Sequence, residues 1–493
     1  MLVEPLLAHA ASKPDDLAII DDHGTYSVGQ IAARAAAMSA LLSARTNKPN
    51  VGILLPASAA FVASFYGTLL SGKAVVPINF LLSDREVAHV LKDSGIDTVV
   101  SAPPLAARLA TSGLNVIDLS QLPAAAVAPP MPAVPKKSPD DLAVLLYTSG
   151  TSGLPKGVML TYNNLQSDID AAIEHAEMTS NHRFLGMIPL FHSFGITGTM
   201  LAPIQLGAVA IYLARFSPVA AWNAIKDRGA TMVFAVPSMY ATIAHLKSPT
   251  AEDFRNVHSL ISGGEPLPTN VSEKFKQRFG QTIHEGYGLT ETSPVVALNT
   301  PRHHRAGSVG QAVPGAEIHI VGDDGKTMPA GQTGEIWLRG PMVMRGYHNL
   351  PTETAAVLTG DGYFKTGDLG MIDPDGYVFI TGRKKDMIIV AGEKAFPREI
   401  EELLMKHDAV AEAAVVGKRD PGRGEVVVAF VVFKPGQSTT PESLRDFCRD
   451  HGLAAWKTPR EFHMADELPR SPTGKVLKRV LAERVNQASE SKQ

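Results

Sequence analysis

The sequence predicts an α/β protein: a large N-terminal layered α/β domain with a β-subdomain, and a small α+β C-terminal domain. Three observations predict it. Short β-rich apolar runs alternate with longer helical patterns through the first half of the chain. Between Gly307 and Phe379 the character changes to short strands separated by Asp-Gly and Gly-Glu turns, and beyond Arg383 a compact segment mixes helix and strand signals. Alternation of strand and helix is the pattern of a parallel sheet covered by helices, whereas closely spaced strands with glycine turns make small antiparallel sheets.

In chain order, residues 51–55, 74–76 and 98–100 read as buried strands, and residues 57–70 and 83–94 as helices. Residues 51–72 and 184–214 lack Asp, Glu, Lys and Arg and are long enough to test as membrane spans. Pro56, Ser58, Ser64 and Ser71 interrupt the first; Pro189, His192, Gly195, Gly198, Pro203 and Gly207 interrupt the second, so buried strand, turn, helix and strand is the reading. A Pro/Ala-rich connector at 123–135 leads into an apolar strand at 142–147. Strand–helix pairs follow at 207–213 and 219–228, 231–235 and 238–246, and 257–261 and 269–279. Strands at 318–321, 335–338 and 377–380 form the β-subdomain. Helices at 397–406 and 441–451 with strands at 413–416 and 426–433 form the last domain, giving expected boundaries of 1–383 and 384–493.

A chain of 493 residues, 45% hydrophobic and 19% charged, buries more than one core. Its 46 Lys+Arg against 49 Asp+Glu leave a net charge of −3, so there is no broad basic field for nucleic acid or an anionic membrane, and a small-molecule substrate is expected. The single cysteine, Cys448, excludes an intrachain disulfide and a multi-thiolate zinc site. Glu4 stands where a secretion signal carries basic residues, and the expectation is a cytoplasmic protein without a signal peptide.

The strongest local signal is Tyr147-Thr-Ser-Gly-Thr-Ser-Gly-Leu-Pro-Lys-Gly157. Thr148, Ser149, Gly150, Thr151, Ser152 and Gly153 offer backbone N–H groups and hydroxyls, and Lys156 offers a cation, which is the chemistry of a phosphate-binding loop. It is not a Walker A motif, because Gly157 and Val158 follow the lysine where that motif has Ser or Thr. A P-loop ATPase is disfavoured for that reason. Further along come Pro189-Leu-Phe-His-Ser-Phe-Gly195, Ser262-Gly-Gly-Glu-Pro-Leu267, Glu285-Gly-Tyr-Gly-Leu-Thr-Glu-Thr292, Thr366-Gly-Asp-Leu-Gly370, Gly382-Arg-Lys-Lys-Asp386 and Ser471-Pro-Thr-Gly-Lys475. In this order the seven segments resemble the adenylate-forming superfamily of acyl-CoA synthetases, peptide-synthetase adenylation domains and luciferases, over essentially the whole chain.

The resemblance implies a two-step reaction: a carboxylate is joined to the α-phosphate of ATP, releasing pyrophosphate, and the acyl group then passes to the thiol of coenzyme A, releasing AMP. Glu291, a hard oxygen donor, is implied as the Mg2+ ligand, and Thr290 as a donor to a phosphate oxygen. Tyr287, between Gly286 and Gly288 and preceded by Glu285, offers a ring to adenine, with Gly264, Glu265 and Pro266 on the opposite face. Asp368 would accept the ribose hydroxyls with Arg383 adding a donor. Lys475 would bridge the attacking carboxylate and the α-phosphate as a mobile charge. The blander readings are a core tyrosine, a turn aspartate and a solvated terminal lysine.

Lys475 is superfluous to the second step, so the resemblance implies rotation of the last domain about a hinge at Lys385. The loop with Gly392 would then let a pantetheine arm pass; a rigid hairpin glycine is the competing reading. His192 takes the place where amino-acid-activating relatives carry Asp, which disfavours an amino-acid substrate. Phe191, Phe194, Ile196, Met200, Val236 and Met239 suggest an apolar pocket for a medium- or long-chain fatty acid, although core packing explains such residues equally. Glu265, together with Pro294-Val-Val-Ala-Leu-Asn299, makes the chain similar to bacterial long-chain acyl-CoA and acyl-acyl-carrier-protein synthetases. An acyl carrier protein therefore stays open as acceptor, as do an aryl substrate and peripheral membrane contact.

Overall fold

The computed structural model describes residues 2–110, 112–121, 130–148, 154–470 and 476–490. Most of the connector expected at 123–135 lies outside them. Packing divides the chain into two units: Met1–Leu267 with Lys274–Glu317 and Leu338–Phe364, and Pro268–Glu273 with Ile318–Trp337 and Lys365–Gln493.

Two sheets organise the first unit. In one, six adjacent strands run parallel in the order Ile283–Gly288, Ser259–Ser262, Met232–Ala235, Arg183–Gly186, Val209–Tyr212 and Leu17–Asp21. Antiparallel strands close its edges: Gly24–Ser27 on one side, Val295–Leu298 and then Gln311–Ala312 on the other. In the other, Leu142–Thr148, Ala74–Pro77, Asn50–Leu54, Thr98–Ser101 and Asn115–Asp118 are parallel neighbours. Lys156–Thr161 and Gly346–Tyr347 extend it antiparallel beyond Leu142–Thr148. The inner strands are buried on both faces, which is why they read as unbroken apolar runs.

Helices begin where the sequence supplies side-chain acceptors. Ser27, Ser83 and Thr161 each accept from the backbone N–H three residues on, and Gln30, Glu86 and Asn164 return the bond. Both uncharged stretches are interior, as expected: strand Asn50–Leu54 with helix Ala59–Leu70, and strand Arg183–Gly186, the helical run 193–206 and strand Val209–Tyr212. No helix among the described residues is long and apolar enough to cross a membrane.

The four-stranded sheet Glu317–Val321, Gly334–Arg339, Phe364–Ile372, Val378–Arg383 is the β-subdomain. Beyond it, Glu393–Ala395, Ile388–Val390, Gly424–Phe433 and Val410–Asp420 form a second sheet, with Glu461–Met464 parallel to Gly424–Phe433. Helices Pro397–Leu404 and Pro441–Asp450 cover that sheet through Ile400, Leu404, Leu444 and the buried Cys448. Arg383 and the residues that follow it lie within the second unit, where helix Pro397–Leu404 packs on strand Val378–Arg383.

Four histidines gather in the first unit. The rings of His182 and His258 lie 4.7 Å apart and those of His284 and His304 5.2 Å apart. His284 is 5% exposed with Nδ1 unpartnered, and burial, then His304 and His258, push its pKa down to about 4 from 6.5. Between those two values the unfolded chain binds a proton that the folded chain refuses, so stability is intact above pH 6.5 and falls as pH drops toward 4. Urea unfolding at pH 7 and pH 5 should show a smaller loss on acidification for His284→Gln than for the parent. Equal losses would remove His284 as the cause.

Candidate functional site

Parallel strands place their loops at one end of a sheet, and the carboxyl ends are where α/β folds bind ligands. In the first unit those ends carry the sequence motifs. Arg183–Gly186 delivers the segment with His192, Met232–Ala235 delivers Val236, Ser259–Ser262 delivers Gly264, Glu265 and Pro266, and Ile283–Gly288 delivers Thr290 and Glu291. These four strands are adjacent in the sheet.

His192 caps the short helix Ser193–Ile196, its Nδ1 accepting from the Phe194 N–H at 3.3 Å. The next hydroxyl, Ser193 Oγ, donates to Thr290 Oγ1 at 3.5 Å, so the 189–195 and 285–292 motifs meet. Phe194 stands edge-on to Phe234 at 5.9 Å, and a methyl group on Gly263 would lie 3.1 Å from its ring. Phe191 packs edge-on to Phe80 at 5.0 Å. Of the expected pocket residues, Ile196 and Met200 are fully buried core, whereas Phe194, Val236 and Met239 are partly open.

Glu285 is 6% exposed, and its Oε1 accepts the Leu267 N–H at 3.0 Å. The carboxylate therefore holds the 263–267 loop by its backbone. Gly288 tolerates no side chain, because a Cβ there would lie 1.8 Å from Pro294 O. A Cβ on Gly286 would lie 2.9 Å from Leu298 Cδ1, a contact that the end of the leucine side chain can relieve. Tyr287, half-buried between them, pairs across the strands with Ala297.

Thr290 and Glu291 form a 3-10 turn directly after this strand. Glu291 Oε1 accepts from Tyr347 Oη at 2.8 Å, and Lys156 Nζ stands 5.3 Å from the centre of the same tyrosine ring. Burial, then the charge of Glu291, hold the Tyr347 phenol well above its usual range, so it stays a donor. Thr148 pairs directly with Lys156 in the antiparallel register, which makes the phosphate-loop motif a hairpin connection and not the strand-to-helix turn of a Walker loop. Ser149, Gly150, Thr151, Ser152 and Gly153 lie outside the described residues.

Among the described residues no group of three or more His, Cys, Asp or Glu side chains is gathered to hold a metal. One partly exposed carboxylate at Glu291 fits a magnesium ion that arrives with its nucleotide, because Mg2+ is commonly held by one or two carboxylates, substrate phosphates and waters.

In the second unit, Asp368 and Arg383 face each other across antiparallel strands, Arg383 Nε 3.0 Å from Asp368 Oδ1. Asp368 is 4% exposed, and its N–H donates to Thr366 Oγ1 at 3.0 Å. Lys385 lies in the exposed turn Lys384–Asp386 just after the strand, beside the Lys384–Glu335 ion pair of 2.9 Å. Ala391 and Gly392, at φ 52° and 90°, are the two-residue turn joining Ile388–Val390 to Glu393–Ala395. Gly392 is thus a hairpin glycine, with open space around it. Lys475 lies outside the described residues; Arg470 and Val476, on either side of its motif, pair as an antiparallel bridge.

Sequence reasoning missed Tyr347 and Ser193. Tyr347 is 56 residues from Glu291, and no local spacing signals such a pair. Ser193 sat in a recognised motif, but only contact with Thr290 marks it.

The family description "AMP-binding enzyme" matches residues 6–348, and "AMP-binding enzyme C-terminal domain" matches residues 399–475. The chain is similar to the long-chain-fatty-acid–CoA ligase of Bacillus subtilis, 34% identical over 479 residues that cover 88% of this chain and 85% of that one. It is also similar to the sulfoacetate–CoA ligase of Cupriavidus necator, 37% identical over 440 residues covering 86% of each. Its fold is similar to the crystal structure of ATP-bound MatB from Rhodopseudomonas palustris, with a TM-score of 0.91, 30% identity, and coverage of 98% of this chain and 99% of that one.

Glu285→Ala leaves the Leu267 N–H without its acceptor. Nucleotide binding, measured by calorimetry, should weaken about tenfold, the scale of one charge-assisted hydrogen bond. An unchanged Kd would mean that the 263–267 loop does not depend on this contact.

Proposed function

The chain belongs to the AMP-binding enzyme family and is an ATP-dependent acid–thiol ligase; from that premise we propose that its acid is a medium- or long-chain fatty acid and its acceptor coenzyme A. The observation that carries this reading is a chain of contacts, Ser193 with Thr290 and Tyr347 with both Glu291 and Lys156, with the partly open Phe194 next to Ser193 in the chain and the partly open Val236 at the end of a neighbouring strand.

A carboxylate is a poor electrophile, and joining it to a thiol requires a better leaving group. A carboxylate oxygen attacks the α-phosphorus of ATP, the bond to pyrophosphate breaks, and an acyl adenylate forms. The thiol sulfur then attacks the acyl carbon, the bond to AMP breaks, and the thiol proton passes to solvent. Charge management dominates the first step. Lys156 and the loop that follows Thr148 bind phosphate oxygens, Thr290 donates to another, and Glu291 would hold the magnesium ion, which when bound neutralises phosphate charge. Tyr287 and the loop of Gly264, Glu265 and Pro266 hold adenine, Glu285 fixes that loop, and Asp368 with Arg383 takes the ribose. Lys475 bridges carboxylate and α-phosphate in the first step. Rotation about Lys385 then replaces it with the Gly392 turn for the second. Cytoplasmic location belongs to the same reading.

Support for a fatty acid comes from the apolar side chains and from the Bacillus subtilis relative; the Cupriavidus necator relative is named for a much smaller, charged acid. Pyrophosphate release with MgATP, across acids from acetate to palmitate with sulfoacetate included, should be largest at medium or long chain length. A maximum at sulfoacetate or acetate would overturn the proposed acid. Thioester should form on adding coenzyme A; its formation only with an acyl carrier protein would overturn the acceptor.

Lys475→Ala should slow adenylation by about 10²–10³ while sparing thioester formation from preformed adenylate. Equal loss in both steps would refute the rotation.

A further inference from the structure

The segment 341–347 is fastened on every side. Asn164 Nδ2 donates to Pro341 O and Val343 O, each at 2.8 Å. Ser293 Oγ donates to Met342 O at 2.9 Å, and the Met344 N–H donates to Glu291 O at 2.8 Å. Tyr347 then pairs with Val158, two residues beyond Lys156, and its N–H donates to Thr354 Oγ1 at 2.9 Å. The result is a half-buried aromatic ring held between two groups of opposite charge. Its hydroxyl reaches Glu291, and its face lies under Lys156.

We propose that Tyr347 is a positioning residue that aims the Glu291 carboxylate at the nucleotide-borne metal and steadies Lys156 toward the phosphates. Two opposite charges near one another relax toward a mutual ion pair, which would turn both away from a ligand that needs each of them. A tyrosine offers each charge a different partner. The carboxylate takes the O–H, and the ammonium takes the negative face of the ring. The tyrosine carries no formal charge, so its two contacts do not themselves neutralise either group toward metal or phosphate. The rigid ring also orders Glu291 before the ligand arrives, which reduces the entropy lost on binding.

The inference rests on Glu291 as the magnesium ligand, and one set of calorimetric titrations separates the two. ATP binding is measured on the full chain with excess Mg2+ and with EDTA; the ratio of the two Kd values is the metal's contribution. Tyr347→Phe keeps the ring under Lys156 and removes only the hydroxyl. The metal's contribution should fall about fivefold to tenfold, with Kd in EDTA and the thermal midpoint unchanged. Tyr347→Leu removes the ring as well and should also weaken ATP binding in EDTA. Glu291→Gln should abolish the metal's contribution. If Glu291→Gln abolishes it but Tyr347→Phe leaves it intact, the positioning role is overturned while the ligand assignment stands. If Glu291→Gln retains it, the ligand assignment falls and the inference with it. A Tyr347→Phe protein with a lowered thermal midpoint and equal weakening in EDTA and Mg2+ would reduce the residue to a structural one.

Discussion

The strand Lys156–Thr161 is hydrogen-bonded on both sides, to Leu142–Thr148 and to Gly346–Tyr347, and the arrangement of side chains around Lys156 depends on that pairing. One partner brings Thr148 opposite Lys156; the other brings Tyr347 within reach of Lys156 and Glu291. Antiparallel register is specified in steps of two residues, because a slip of one turns every side chain to the opposite face. A shift here would part Lys156 from both Tyr347 and Thr148.

The parallel sheets solve a different problem. Segments far apart in the chain must present polar groups at one place without burying unsatisfied backbone. Neighbouring strands running in the same direction do this, since each ends beside the next and each connection continues from there. Side chains then satisfy the backbone of the loops. Glu285 accepts from Leu267, His192 caps the helix that carries Ser193, and Thr292 Oγ1 accepts the Leu289 N–H at 2.9 Å. Part-buried hydrogen bonds of this kind, costly to leave half-made, give the loops a fixed shape before any ligand enters.

Much of this was legible in the linear chain. Apolar runs at 51–55, 74–76 and 98–100 became strands Asn50–Leu54, Ala74–Pro77 and Thr98–Ser101 because a strand buried on both faces must be apolar throughout. The uncharged stretches became interior elements because proline and glycine cut them into lengths that suit a globular core. Short edge strands were not legible: Gly346–Tyr347 and Gln311–Ala312 are two residues each, too short for any periodicity. Gly392 was legible as a loop glycine, and only its φ of 90° beside Ala391 at 52° shows that loop to be a two-residue hairpin turn, with open space around the glycine.

The sequence by itself determined the element types, the layered α/β class and the chemical inventory, because hydrophobic period, turn residues and motif order are local properties of a chain. Pairings across long separations were decided only by the tertiary structure: Tyr347 with Glu291, Ser193 with Thr290, Glu285 with Leu267, Arg383 opposite Asp368. Each depends on strand order and register, which arise from how whole sheets bury their apolar faces and which no short window of residues encodes.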